Sequence, residues 1–352
     1  MICFAWSGFP QYAARCVGAF VSNSEEDVVV VATRPRVPVV GMERLCLCPV
    51  VWLDEGADAV PQVDAGKVSA IVVSGWFNTA FNALASRVKE HGGVVIAMVD
   101  NNFRFSIKEI IKAIRFRMLL RHRYDGYLVP GSSSRKLLRF YGVPDKRIKS
   151  NLYSADESIF HDGESLPSRA KRIIYVGQLC ERKNVIMLLD AFFESGIVAK
   201  GWSLSYFGCG PQRDELVDRI ARYELGNSVT VSDFCQPEKL CEEYRRSRIF
   251  ALLSREEHWG VVVHEAALSG CMLLLSDKVG AAPDFASDKN AFIVSLDRMD
   301  SIVSALRQAT LCDESRLVGA EEESIARAAQ ISLSGFARSV LSLLSIRVEK
   351  SK

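Results

Sequence analysis

Neither sign of charge dominates this chain of 352 residues. Its 44 Lys and Arg face 42 Asp and Glu, a formal net charge of +2. That balance excludes a generally basic nucleic-acid binder, although not a local basic face. No apolar run is long and clean enough to span a bilayer. The longest uncharged stretch, between Lys67 and Arg87, contains Ser69, Ser74, Asn78, Thr79, Asn82 and Ser86, with Gly75 near its middle. It reads as a strand, a turn and a helix. A secretory start is lacking, since Met1 leads into Ile2-Cys3-Phe4-Ala5-Trp6 with no basic segment or cleavage pattern. The ten cysteines are scattered, and only Cys46 and Cys48 lie close together, so neither a disulfide framework nor a zinc site is expected. The five histidines are spread out, and His258 and His264 have no helical metal-pair spacing. With 49% hydrophobic and 24% charged residues, the chain is too apolar for disorder and long enough for about two domains.

Short β-branched runs alternate with amphipathic stretches. Strands are expected at 2–5, 28–32, 70–73, 94–99 and 126–129, then at 172–176, 204–207, 229–231, 249–253 and 272–275. Helical patterns lie between them, at 184–194, 212–224, 238–246 and 261–268 among others. Continuous apolar strands between helices imply parallel sheets covered on both faces, in doubly wound α/β domains. The polar segment 156–169, with Gly163 and Pro167, reads as a linker between domains 1–155 and 170–334. Phe336, Val340, Leu341, Leu343 and Leu344 recur at helical spacing, so 335–352 reads as a closing helix packed back on the first domain. Ligands of such sheets bind beyond the carboxyl ends of the strands, and with two domains the expected site is a cleft between them.

Three strand ends carry the chemistry. After 249–253 comes Ser254-Arg255-Glu256-Glu257-His258-Trp259-Gly260-Val261, and Glu265 falls on the helix that Gly260 opens. Free N–H groups at a helix start hold an anion, and a carboxylate accepts two hydroxyls at once. The plainer reading makes Glu257 a helix cap and Glu265 a surface ion-pair partner. After 172–176, Gly177 precedes Arg182-Lys183 at the next helix. This is either a diphosphate site or a solvated basic turn. After 204–207 comes Gly208-Cys209-Gly210-Pro211, whose glycines permit close backbone approach.

Taken in order, Gly177, Arg182-Lys183, Gly208-x-Gly210-Pro211, 229–234 and Glu257-x7-Glu265 resemble the retaining glycosyltransferases of family 4. The resemblance covers 172–285, and Tyr153-Ser154-Ala155-Asp156-x3-Phe160 resembles that family's domain junction. It implies the GT-B fold, two Rossmann-like domains facing a central cleft, with a nucleoside-diphosphate-sugar as donor substrate and no resident cofactor or metal. Arg182 and Lys183 would neutralise the donor diphosphate. Glu265 would bind the ribose, and Glu257 would face the donor sugar. His258, Trp259, Gly260 and Val261 would surround sugar and phosphate, and Asp233-Phe234-Cys235 would lie against the base. Departures are Gln178 for a frequent Arg, Asn184 and Asp233 for frequent Gly, and Ala281-Ala282 in a loop that is often richer in glycine.

The amino-terminal half matches less well. Ser7-Gly8-Phe9-Pro10 corresponds to the family's first glycine-rich loop, with one Gly where two are common, and Gly8 would admit the donor. Asp100 ends the strand 94–99 where the family places an Asp or His near the reacting sugar, although a strand-end Asp is also a good helix cap. Val129-Pro130-Gly131-Ser132 ends another strand on the acceptor side. No residue stands out as a covalent nucleophile, which fits the family's front-face route, with the departing diphosphate stabilised electrostatically.

Between 104 and 123 lie Arg104, Lys108, Lys112, Arg115, Arg117, Arg121 and Arg123, opposed by Glu109 alone and interleaved with apolar residues. Such a helix can lie on an anionic membrane surface, or it can be an ordinary helix with its apolar side on the core. Residues 1–150 hold 20 basic against 13 acidic side chains, and the remainder 24 against 29, so the small net charge is a cancellation. The expectation is a cytoplasmic enzyme, peripheral on the inner face of the membrane, that acts on a carbohydrate or lipid-linked acceptor in cell-surface polysaccharide or lipopolysaccharide synthesis. Its rivals are a sugar-nucleotide epimerase of the same fold and a silent carbohydrate- or lipid-binding subunit.

Overall fold

The computed structural model describes residues 1–34, 41–54 and 56–346, and every structural statement below concerns these. They form two units, one drawn from residues 1–154 with 331–346 and one of residues 155–330. Residues 347–352 of the expected closing helix lie outside the described residues.

The first unit holds seven strands: β1 (Ile2–Trp6), β2 (Val28–Thr33), β3 (Val50–Leu53), β4 (Ala70–Ser74), β5 (Val94–Met98), β6 (Gly126–Leu128) and β7 (Ile148–Lys149). They run parallel in the order β3-β2-β1-β4-β5-β6-β7, with Ile2 beside both Val28 and Ala70. Because side chains alternate along a strand, β1 feeds two cores. Cys3 and Ala5 pack on one face, and Ile2, Phe4 and Trp6 on the other. This explains the unbroken apolar run: both faces are covered, so no position is left to water. The carboxyl-terminal helix Leu333–Leu344 covers the second face. Phe336 packs against Phe4 at 6.1 Å, and Val340 and Leu343 are fully buried.

The second unit repeats the plan. Its strands are β8 (Ala170–Val176), β9 (Ser203–Phe207), β10 (Val229–Ser232), β11 (Ser247–Leu252), β12 (Met272–Ser276) and β13 (Ala291–Val294). They lie parallel in the order β10-β9-β8-β11-β12-β13. In both units the order runs outward on one side of the first strand and then outward on the other, the doubly wound Rossmann pattern.

The segment 156–169 is not a loose tether. Phe160 packs edge-on against Tyr244 at 6.0 Å, and Leu166 is fully buried. The Arg169 guanidinium, also buried, pairs with Glu321 at 2.7 Å and donates to the Ser269 carbonyl at 2.8 Å. The polar composition that suggests a linker belongs to a strap whose last residue, Arg169, is satisfied inside the second unit. Cys3, Cys16, Cys46, Cys241 and Cys271 are buried, and none of the ten cysteines is in a disulfide.

Candidate active site

In the second unit, β11 ends at Leu252, and the loop after it turns into the helix Val261–Leu268. Gly260 opens that helix at φ 91°, and no side chain caps it. Its first N–H groups therefore form a partial positive charge at a strand's carboxyl end. Glu257 is pinned just before it. Its N–H donates to the Lys278 carbonyl at 3.3 Å, and its own carbonyl accepts from Gly280 N–H at 2.9 Å. The Glu257 carboxylate accepts from Lys183, lies 3.7 Å from Arg182, and receives the Ser254 hydroxyl at 3.4 Å.

Lys183 and Arg182 close a short 3-10 turn, Glu181–Lys183, at the end of β8. Lys183 is buried, whereas the Arg182 side chain is 44% exposed. Backbone contacts tie this turn to the Glu257 loop, with Arg255 N–H donating to the Arg182 carbonyl at 2.8 Å and Arg182 Nη1 donating to the Glu256 carbonyl at 2.8 Å. Asn184 then enters the helix Val185–Ser195 at φ 58°. That left-handed conformation explains the departure from Gly, because Asn is among the side chains that tolerate it best. Two cations thus converge on one carboxylate, and the cluster carries one surplus positive charge.

Gly177 and Gly208 end the neighbouring strands β8 and β9 in close contact. Gly208 has φ 150°, and a Cβ placed there would lie 1.9 Å from the Gly177 carbonyl oxygen. Gly210 is equally confined, at 2.4 Å from the Leu179 carbonyl oxygen. These glycines bring two strand-end loops together beside the Arg182-Lys183 turn.

Glu265 sits about a turn and a half into the helix that Gly260 opens, half-buried, and accepts from the Tyr244 hydroxyl at 3.1 Å. Burial pushes its carboxyl from an ordinary 4.5 up to about 7. A carboxyl raised in this way binds its proton more tightly folded than unfolded, so between about pH 4.5 and 7 stability falls as pH rises. Ribose hydroxyls need the ionised form as acceptor, so nucleotide affinity should rise through the same upper range. We expect calorimetric titration of a nucleoside diphosphate at pH 6 and pH 8 to show tighter binding at pH 8. Glu265→Gln should bind more weakly and with a flat pH profile.

Beside this carboxylate lies a cavity of about 390 Å³ lined by Ser205, Phe207, Thr230, Asp233, Phe234 and Lys239, among others. Burial raises the thiol of Cys235 in its wall, and the charges of Glu243 and Glu265 raise it further, which places that wall near the ribose candidate. Phe234 is 53% exposed, and Asp233 is held by Arg213 at 3.2 Å.

His258 is exposed, with Nε2 3.8 Å from Glu256. Trp259 is buried against Phe285 at 5.4 Å, and its indole N–H meets no hydrogen-bond partner among the described residues. His264 is structural: Nδ1 accepts from Ala155 N–H at 3.0 Å, Nε2 lies 3.1 Å from the Ala328 carbonyl, and burial lowers its pKa to about 4. Among the described residues, no group of three or more His, Cys, Asp or Glu is placed to hold a metal ion.

In the first unit, Gly8 follows β1 at φ 61°, and its N–H donates to the Thr33 hydroxyl at 2.8 Å. Asp100 follows β5 and accepts from the Tyr153 hydroxyl at 3.1 Å. Tyr153 packs edge-on against Tyr12 at 5.4 Å. Sequence reasoning missed Tyr244, Ser254 and Tyr153 as partners of the three carboxylates. Tyr244 and Tyr153 lie 21 and 53 residues from their partners, beyond any local spacing rule.

Residues 156–323 match the family described as glycosyl transferases group 1. Over 98 residues the chain is 33% identical to the amylovoran biosynthesis glycosyltransferase AmsD of Erwinia amylovora, a match covering 28% of this chain and 27% of that protein. Over 162 residues it is 28% identical to a D-inositol 3-phosphate glycosyltransferase of Nocardia farcinica, covering 42% and 36%. The matches thus span about a quarter to a third of these relatives. Among solved structures, Anabaena Alr3699/HepE in complex with UDP and glucose superposes with a TM-score of 0.74 at 15% identity, over 98% of this chain and 99% of that one. Sucrose-phosphate synthase from Thermosynechococcus elongatus gives 0.73 at 14% identity over the full length of both. These likenesses establish the fold, two Rossmann-like units of the GT-B type. Within the group 1 segment, Arg182, Lys183, Glu257, Gly260 and Glu265 all lie at strand ends or on the helix that follows one.

Proposed function

We propose that this protein is a retaining hexosyltransferase of family 4. It would move a sugar from a nucleoside diphosphate to a carbohydrate acceptor carried on a lipid, in cell-surface polysaccharide or lipopolysaccharide assembly. The observation that carries this reading is the convergence of Lys183 and Arg182 with Glu257 at the uncapped start of a helix that also bears Glu265. The two cations and the helix N–H groups take the diphosphate, and Glu265 accepts the ribose hydroxyls. The base enters the cavity between Phe234 and Lys239, and Glu257 faces the donor sugar. As the glycosidic bond breaks, negative charge grows on the departing phosphate, where the cations are already placed. That arrangement stabilises the transition state more than the ground state. In the front-face route a leaving-phosphate oxygen takes the acceptor proton, so no enzyme base is needed. The first unit receives the acceptor, with Gly8 admitting the donor phosphate and Asp100, oriented by Tyr153, contacting the reacting sugar.

The curated relatives, each named a glycosyltransferase, support this reading, as do the neighbours solved with UDP. The test is NMR of the product formed from an α-linked nucleotide sugar and a panel of lipid-linked glycans. The expected product has an α-configured new linkage. A β-linked product would remove the retaining assignment. Conversion of the sugar at a ring carbon with no acceptor present would favour the epimerase.

A further inference from the structure

The helix Ile107–Leu119 has two apolar faces, and only one of them meets the protein. Ala113 and Phe116 are buried, and Leu120 just beyond packs on the same core. Glu109 lies on that inner side as well, buried and bonded to the Tyr141 hydroxyl. At about 100° per residue, Ile107, Ile111, Ile114 and Met118 form a second stripe on the opposite side. They are 79%, 61%, 52% and 73% exposed. Along one flank of this stripe run Lys108, Lys112 and Arg115, all exposed. The helix is ~20 Å long at about 1.5 Å per residue. Arg117 donates to the Phe140 and Tyr141 carbonyls at 2.9 and 3.0 Å, and Lys112, though exposed, reaches back to Glu109 at 3.3 Å.

An outward stripe of four large apolar side chains is costly in water, because each leaves most of its apolar surface unburied. Single exposed apolar residues are ordinary, but a contiguous stripe marks a contact surface. Charge selects the occupant. A second copy docking by the same face would bring two rows of cations together, and the one acid of this helix is buried and engaged. An anionic bilayer offers hydrocarbon for the stripe and phosphates for the flank.

We propose that the outer face of Ile107–Leu119 docks on an anionic lipid bilayer, with Ile107, Ile111, Ile114 and Met118 entering the acyl boundary and Lys108, Lys112 and Arg115 lying among the headgroups. Vesicle binding needs neither donor nor acceptor, so this inference stands apart from the glycosyl-transfer reading.

The test is co-sedimentation of the full chain with vesicles of phosphatidylcholine alone or with phosphatidylglycerol added. Binding should require the anionic lipid and weaken with salt. Lys108→Gln/Lys112→Gln/Arg115→Gln should lose affinity on the order of a hundredfold, about fivefold per cation. Ile107→Ser/Ile111→Ser/Met118→Ser should lose binding at least as strongly while keeping its circular dichroism, since these side chains touch no core. Equal binding to neutral vesicles would overturn the proposal, as would unchanged binding in either triple variant. A wild-type dimer that the serine variant dissociates, without vesicle binding, would overturn it in favour of self-association.

Discussion

Lys183→Ala should lower kcat about 10²–10³-fold, the usual loss when one preorganised stabiliser of a developing charge is removed. The buried ammonium is held against Glu257, just before the uncapped helix start, so it is already oriented when the diphosphate departs. Because its interaction strengthens as the bond breaks, kcat should fall more than KM rises. Arg182→Ala should cost less, about 10- to 100-fold, because its side chain is 44% exposed and solvent can replace part of its charge. Neither variant should unfold: Glu257 keeps the other cation and the Ser254 hydroxyl, and its backbone stays pinned by Lys278 and Gly280. Steady-state kinetics with circular dichroism checks both statements. Unchanged kcat in both variants would remove the diphosphate role from this pair.

Gly208→Ala should destabilise the second unit by at least about 3 kcal/mol, a Tm drop of roughly 6–12 °C for a unit of this size. Two effects add here. An L side chain is strained at φ 150°, and its Cβ would collide with the Gly177 backbone at 1.9 Å. The obstacle is a carbonyl rather than a flexible side chain, so relief requires the strand ends of β8 and β9 to part. Nucleotide binding should therefore fall together with stability. Gly226→Ala is the control: its Cβ would meet nothing within 4 Å, and the change should stay within about 0.5 kcal/mol. Calorimetric melting of the two variants separates a steric role from a generic cost of replacing glycine.

Much of the architecture is legible in the sequence because the central strands are buried on both faces. The uninterrupted apolar runs of β1, β4, β5 and β12 leave little choice of reading. The edge strands β3 and β13 escaped notice for the converse reason. Each is apolar but only four residues long and only partly buried, too short a run to stand out from its surroundings. The helix Val261–Leu268 was readable end to end, because Gly260 supplies its left-handed start. The packing of 156–169 is not legible in sequence, because composition reports polarity but not partners. Nothing local shows that Arg169 meets Glu321, 152 residues away.

The site divides along the same line. Arg182, Lys183, Glu257 and Glu265 were legible as motif residues, but the direct pairing of Lys183 with Glu257 is tertiary, across 74 residues. Likewise, periodicity shows that Ile107–Leu119 carries apolar residues at helical spacing. It does not say which of two stripes the core claims, and here the core takes the smaller one.

The central claim is that the second unit is a nucleotide-sugar donor site built on Lys183, Glu257 and Glu265. Thermal melting against nucleoside diphosphates and their sugars tests it most directly. At a ligand concentration near a hundred times Kd, a bound donor adds about 2.7 kcal/mol, or roughly 5–10 °C in Tm. At least one nucleoside diphosphate should produce that shift in the wild type and almost none in Lys183→Ala/Glu265→Ala. The account is contradicted if no nucleotide shifts the wild type, or if the double variant shifts by the same amount.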